Sequence, residues 1–335
     1  MIRVAALAAA LVLFAAACGS AGADKTTKDP APSSTTAPAA AVAPLTGLPD
    51  PTGAAATRPV LSVKVENTPQ ARPQSGLEHA DVVWNEVVEG QYTRFLAMYQ
   101  SRTTDVVGPV RSVRLTDPLI VWPVGGVFAF SGGAPSIVDA ISAAPVTLVD
   151  EISAGDAMFR DDTRRSPHNL YGRPDALWAF GGTPVPPPPL FRYLAEGKPP
   201  KGAAATSVSI GYRDDYSVGY GWDAASGTWL RTTAGAPFMS RSGVQIAPQN
   251  VVVLPVIYTG GVGNEGAEAQ LVGQGPAIVL SGGTVVNGKW VRPDKAQPMQ
   301  LQTMDGKPIR LVPGSTWVEL PDISYAVDVA SPAAP

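Results

Sequence analysis

Arginines, carboxylates and a histidine gather in the first half of the 335-residue chain, at spacings that suit a charged ligand. Arg111 and Arg114 stand just before Asp117-Pro118, where Asp117 can cap a helix and Pro118 suits its first turn. Free backbone N–H groups at such a start favour an anion, and the guanidinium fork matches a carboxylate or a phosphate. Arg111 and Ser112 are therefore the leading ligand-binding candidates, with Arg72, Glu89, Arg94, Arg114, His168 and Asn169 beside them. The plainer alternative is that the arginines pair internally with Asp105, Asp117 or Asp162.

Glu86 and Glu89 raise a second chemistry, because two carboxylates flanking a glycosidic bond would suit a hydrolase acting on wall glycan. In a regular strand the two point to opposite faces. An ion pair of Glu89 with Arg94 across a hairpin is the plainer expectation. His168, in Pro167-His168-Asn169, suits a general acid or base, or equally a loop residue tied to its neighbours. The hydrolase needs Glu86 or Glu89 within about 10 Å of His168 across one cleft.

Other signatures are missing. The chain has no Walker A loop, HExxH, GxSxG or SxxK motif, and Ser131-Gly132-Gly133 is not a dinucleotide fingerprint. No metal and no cofactor is expected, since the second histidine is far from His168 and the single cysteine is committed elsewhere. The formal charge of −3, without a basic run, makes nucleic acid an unsuitable partner.

The elements that must position these residues begin near Arg58. Pro59 to Val65 alternates as a strand does, Asp81 to Glu89 and Thr93 to Tyr99 follow as strands, and Gly90-Gln91 has the composition of a two-residue hairpin turn. That turn would set Val88 against Thr93, Val87 against Arg94 and Glu86 against Phe95. Helices are expected at Asp117 to Trp122, Ser136 to Ala143 and Leu190 to Leu194, with strands at Val127 to Phe130 and Thr147 to Val149. The Pro- and Gly-rich stretch from Gly181 to Gly202 marks a boundary. Beyond it lie short β runs at Ser207 to Tyr212, Thr228 to Arg231, Val251 to Tyr258, Ala277 to Leu280, Thr284 to Trp290 and Thr316 to Leu320. The fold class expected is α+β: an N-terminal α/β layered domain, residues 58–190, followed by a mainly-β C-terminal domain, residues 191–335. Trp222, Trp229, Trp290 and Trp317 are expected to pack in the core of that β part.

Residues 1–17 read as a signal peptide, with Arg3 ahead of an apolar run from Val4 to Phe14 that is too short to span a bilayer. Ala15-Ala16-Ala17-Cys18-Gly19 has the small-residue pattern of a lipoprotein cleavage site, with Ala15 where Leu is usual. Acylation of Cys18 would anchor the chain to the cell membrane on its extracytoplasmic face, two acyl chains sufficing for stable attachment. With Cys18 so used, disulfides, thiolate metal sites and cysteine catalysis are excluded. Residues 18–57, the lipidated cysteine and an Ala-, Pro- and Thr-rich stretch, read as a disordered tether.

Several motifs together carry a family resemblance. Asn67 with Ala71-Arg72-Pro73-Gln74-Ser75-Gly76-Leu77, Glu89-Gly90 with Thr93-Arg94-Phe95, Gly108 to Arg114, Phe159-Arg160-Asp161 and Pro167-His168-Asn169 resemble the YerB-like envelope lipoproteins, which join the N- and C-terminal domains of domain of unknown function 3048. Gly273 to Ala277, Gly288-Lys289-Trp290 and Pro313 to Trp317 resemble the second of these domains. Ala236-Pro237-Phe238-Met239 departs from the polar, often acidic stretch found there in the family. The resemblance implies location and architecture and supplies no mechanism. Two readings follow: a non-enzymatic binding or scaffold protein for a polar or anionic envelope ligand, a wall polymer or an exported protein partner, and alternatively a wall-glycan hydrolase using Glu86 or Glu89 with His168.

Overall fold

The computed structural model describes residues 41–332 except 54, 56, 183, 184, 196 and 214. The signal-peptide segment, Cys18 and the tether up to residue 40 lie outside the described residues. No helix among the described residues is long and apolar enough to cross a membrane.

Three strands form the middle of the fold: β1 (Leu61–Glu66), β2 (Val82–Val87) and β3 (Thr93–Tyr99). Every residue of the three is buried. The apolar-polar alternation of β1 therefore does not divide core from water; its polar set, Ser62, Lys64 and Glu66, forms a covered polar face. β3 lies between β1 and β2, antiparallel to both.

The β2–β3 connection differs from the expected turn. Glu89-Gly90-Gln91 form a three-residue loop with positive φ at Gly90 and Gln91. The register is Val87 against Thr93, Glu86 against Arg94 and Asn85 against Phe95. A one-residue slip changes which side chains share a face. Glu86 and Arg94 thus stand directly opposed, with Glu66 opposed to Arg94 from β1.

Around this centre run α1 (Asp117–Val121), β4 (Gly126–Ala129), α2 (Pro135–Ser142), β5 (Val146–Val149), the small hairpin β6 (Met158–Arg160) and β7 (Leu170–Gly172), and α3 (Pro174–Trp178). The later chain supplies β8 (Ser207–Arg213), β9 (Tyr216–Asp223), β10 (Thr228–Thr233), β11 (Asn250–Val253), β12 (Gly273–Ser281), β13 (Thr284–Arg292), β14 (Gln300–Thr303), β15 (Thr316–Leu320) and β16 (Val327–Ala330).

The described residues build one eleven-stranded sheet in the order β14-β13-β12-β11-β15-β2-β3-β1-β4-β5, with Ala203–Ala204 added on β13. Strands from both sides of the Pro-rich stretch meet where β15 pairs in parallel with β2, Trp317 against Val83 and Glu319 against Asn85. A second sheet, Ala236–Pro237 then β10-β9-β8-β16, lies over one face of the first. The molecule is mostly β, and the α/β character expected for residues 58–190 is limited to β1, β4 and β5, which pair in parallel, with α2 between β4 and β5. The two leading helices there are five and eight residues long, and the central strands are antiparallel and shared with the C-terminal segment.

Two local expectations also change. Leu190 to Leu194 is not a helix; Tyr193 bridges Leu311 and Leu194 N–H donates to the Leu311 carbonyl at 2.8 Å. The end of the expected tether is folded, because Leu45 is fully buried, Tyr193 donates its hydroxyl to the Leu45 carbonyl, and Gly314 N–H donates to Thr46 at 2.8 Å. A bulky leucine in an otherwise small-residue stretch has apolar surface worth about 2 kcal/mol to bury.

Candidate functional site

Opposed residues point to the same side of a sheet. Lys64, Glu66, Glu86 and Arg94 therefore share one face of the central sheet, the face on which Asp117 at the start of α1 lies. Lys64 carries its ammonium between Glu86 and Asp117, donating to Asp117 Oδ1 at 2.7 Å, and none of the three is exposed. Burial and the nearby Asp117 carboxylate raise Glu86 to about 7 against the pull of Lys64, since one ammonium serves two carboxylates.

Next to this trio Glu89 receives Arg94 at 2.8 Å and Arg114 Nε at 2.7 Å. Partial burial pushes Glu89 up, but the Arg114 hydrogen bond and the charges of Arg94 and Arg114 outweigh it and hold the carboxyl at about 2. Burial and the adjacent Arg114 bring Arg94 down to about 10, which leaves it charged at neutral pH. The Ser112 carbonyl accepts a further bond from Arg94 at 3.0 Å.

Toward the surface, Glu66 at the end of β1 accepts His168 Nδ1 at 2.9 Å and Thr68 Oγ1 at 2.8 Å, with Arg111 Nε 3.5 Å away. His168 sits in the β6–β7 loop beside an open cleft of about 500 Å³ lined by Gln70, Arg72, Arg164, Arg165, Ser166 and His168. Both cleft loops turn through cis X–Pro bonds, Arg72-Pro73 and Ser166-Pro167. Arg72 donates to Asn67 Oδ1 at 3.1 Å and lies over the Tyr216 ring at 5.2 Å, while Arg164 donates to the carbonyls of Ala71 and Pro73 at 3.0 and 2.7 Å. The Arg165 guanidinium makes no hydrogen bond or ion pair among the described residues. A hollow of about 600 Å³ elsewhere is walled largely by proline, glycine and apolar side chains, including Pro59, Trp122 and Pro186, and lacks such chemistry.

Comparison with known proteins bears on this arrangement. The model for the N-terminal domain of DUF3048, a protein of unknown function, matches residues 45–183, and that for its C-terminal domain matches residues 208–318. The chain belongs to the DUF3048 family. It is similar to a protein of Bacillus subtilis (strain 168) named Putative lipoprotein YerB, 29% identical over 293 residues that make 85% of this chain and 87% of the relative. The crystal structure of YerB from Bacillus subtilis superposes with a TM-score of 0.75 at 26% identity, covering 86% of this chain and 99% of that one.

In this DUF3048 chain the sequence candidates fall into two groups. Arg72 and His168 line the cleft, and Arg111 stands behind His168 on Glu66. Glu89, Arg94 and Arg114 are consumed in an internal ion cluster, with the Ser112 carbonyl beside them, so the helix-start anion site is corrected. The place of an anion there is already taken by Asp117, whose carboxylate accepts the Arg114 N–H at 2.7 Å. Asn169 is buried and accepts Arg160 at 2.7 Å, a structural tie.

The carboxylate pair imagined for a hydrolase is corrected as well. Glu86 has no exposure and Glu89 is clamped by two arginines, while His168 pairs with Glu66 and with neither of them. Glu66, Lys64, Arg164 and Arg165 are the residues that sequence reasoning did not carry into the site. Glu66 and Lys64 sat in what looked like the solvent set of an alternating strand; the signal for Arg164 and Arg165 was their place four and three residues before His168.

The opposite face of the sheet holds a second buried polar group. Glu319 accepts Tyr212 at 2.6 Å and Asn85 at 2.6 Å, along with Tyr220. Arg231 lies 4.1 Å from the Phe238 ring centre and 5.0 Å from that of Trp317. Phe238 and Trp317 stand edge to face, so of the Ala236 to Met239 stretch Phe238 packs into the core while Ala236, Pro237 and Met239 are exposed. Trp229, Trp290 and Trp317 are buried as the core reading expects.

Proposed function

We propose that this chain is an exported lipoprotein, held on the extracytoplasmic face of the cell membrane through Cys18, whose cleft binds an anionic envelope ligand without chemical turnover. The observation that carries the reading is the gathering of Arg72, Arg164, Arg165 and His168 around one open hollow. Three guanidiniums of fixed positive charge draw an anion, and none has a carboxylate partner among the described residues. The name of the Bacillus subtilis relative supports the lipid anchor, and so does the sequence around Cys18. Suitable ligands are an acidic wall polymer or an acidic segment of an exported protein.

Two measurements test this. Metabolic labelling with palmitate is expected to mark the chain and to leave the Cys18→Ala variant unmarked. Co-sedimentation of the full-length chain, purified in detergent, with isolated cell walls is expected to weaken about tenfold in an Arg164→Gln, Arg165→Gln double variant and to weaken with salt. Turnover of purified wall glycan by the chain would overturn the non-enzymatic reading.

A further inference from the structure

We infer that the cleft takes a tetrahedral oxyanion of the phosphate type together with one proton, His168 being the donor that switches the site on. The inference rests on reading the cleft as an anion site, and adds ligand class and regulation to it.

The ring geometry carries the argument. His168 turns Nδ1 onto the buried Glu66 carboxylate, at 2.9 Å from one oxygen and 3.0 Å from the other. A carboxylate cannot donate to a ring nitrogen when ionised, so the first imidazole proton stays on Nδ1. Glu66 is held to its acceptor role by Thr68 and by Arg111 behind it. The nitrogen left for the cleft is Nε2, which makes no hydrogen bond to the described residues. In the neutral ring Nε2 presents a lone pair to an incoming anion; in the imidazolium it presents an N–H. An anion is therefore repelled by one form of His168 and hydrogen-bonded by the other.

The charged groups around the imidazole are Glu66 on β1, Arg111 behind it, Arg72 on the loop after β1, and Arg164 and Arg165 on its own loop, with Asp162 exposed nearby. Asp161 is engaged by Arg241 and does not face the cleft as a free charge. Three guanidiniums and an imidazolium offer more donors than the two oxygens of one carboxylate can accept. Arg72 and Arg164 already donate to Asn67 and to the Ala71 and Pro73 carbonyls, so a phosphate or sulfate group, with three or four oxygens, would accept from the uncommitted Arg165 and from His168 Nε2, the other two guanidiniums adding positive charge at the cleft wall.

Sulfate is the discriminating probe, because it does not itself titrate near neutrality. In calorimetric titrations of the full-length chain in detergent, sulfate is expected to bind at least about tenfold more weakly at about pH 8 than at about pH 6, because only the imidazolium presents an N–H at Nε2. At the higher pH binding should be accompanied by proton uptake, read from the difference in heat between two buffers of unlike ionisation enthalpy. The His168→Gln variant keeps a donor that does not titrate, so its sulfate affinity should be independent of pH with no proton uptake.

Equal wild-type affinity at both pH values without proton uptake overturns the coupling, and leaves the anion site standing if Arg165→Gln still weakens sulfate. No sulfate binding at either pH overturns the anion site and the coupling together. Glycerol 3-phosphate in solution and micelles doped with phosphatidic acid then distinguish a soluble phosphate from a lipid headgroup. Failure of both overturns the extension from sulfate to phosphate.

Discussion

Glu86 and Glu89 stand three residues apart and shift in opposite directions, which makes the buried charge cluster measurable. Glu86, raised to about 7 by burial and by Asp117, holds its proton in the folded state after the unfolded chain has lost it near pH 4.3. The unfolded state then binds fewer protons, so stability falls as pH rises from about 4.3 to about 7 and is level beyond. Replacing Glu86 with Gln removes this slope: denaturant titrations should show the wild type losing on the order of 1–3 kcal/mol between about pH 4.5 and 7.5 relative to the variant. Glu89 has the reverse sign, its folded value of about 2 lying below the unfolded one. Its contribution is complete above about pH 4.3 and lost as pH falls toward 2. Glu89→Gln should cost about 1 kcal/mol at neutral pH, modest because the side chain is 39% exposed and screened, and should flatten the acid limb. Parallel pH dependences in wild type and both variants would remove these carboxylates from the account.

At the scale of elements, β4 reaches β1 through Gly126, whose φ is +85°. A Cβ there would lie 2.1 Å from the Val60 carbonyl oxygen, the atom that accepts the Val127 N–H at 2.8 Å. Gly126→Ala therefore combines a strained backbone with a clash against backbone that cannot yield. Thermal unfolding should report a loss of about 2–4 kcal/mol, against little change for Gly266→Ala, which is exposed and meets nothing. Both β3 and β15 were legible in the sequence, because each is a compact run of β-forming residues bounded by turn residues. β9 was not, since Gly219 and Gly221 dilute the strand signal in Tyr216 to Asp223. The register of the β2–β3 hairpin was also hidden: composition at Gly90-Gln91 does not reveal that Glu89 joins the loop. That single residue decides that Glu86 faces Arg94, so the charge cluster was not readable from spacing. That His168 and Arg72 line a cleft was legible, because polar residues in Pro-bounded loops stay near the surface. Their partner Glu66 was not, because an acidic residue at a strand end ordinarily faces water.

For the whole molecule, the Pro-rich stretch separates two segments in sequence that the fold does not separate in space. The family models meet on either side of it, yet β2 from the first segment pairs with β15 from the second inside one sheet. Asn85 donates to Glu319 across that junction, and the Glu319 carboxylate is completed by Tyr212 and Tyr220 of the overlying sheet. Taking the second segment away would open the edge of β2, expose Phe95, which packs 5.2 Å from Trp317, and leave one whole face of the central strands in water. Taking the first away would leave Glu319 without Asn85 and β15 without a partner on one side. Stability is then a property of the joined chain, and the two halves unfold together. Residues 41–190 expressed alone should give a poorly dispersed amide NMR spectrum and no cooperative melting transition, while the intact chain melts in one step. Mixing separately produced residues 41–190 and 191–335 should recover dispersion, since every lost contact is between the two pieces. A well-dispersed spectrum with its own sharp transition from residues 41–190 alone would show that the first segment buries a sufficient core unaided, and the shared sheet would then be a docking of two finished domains.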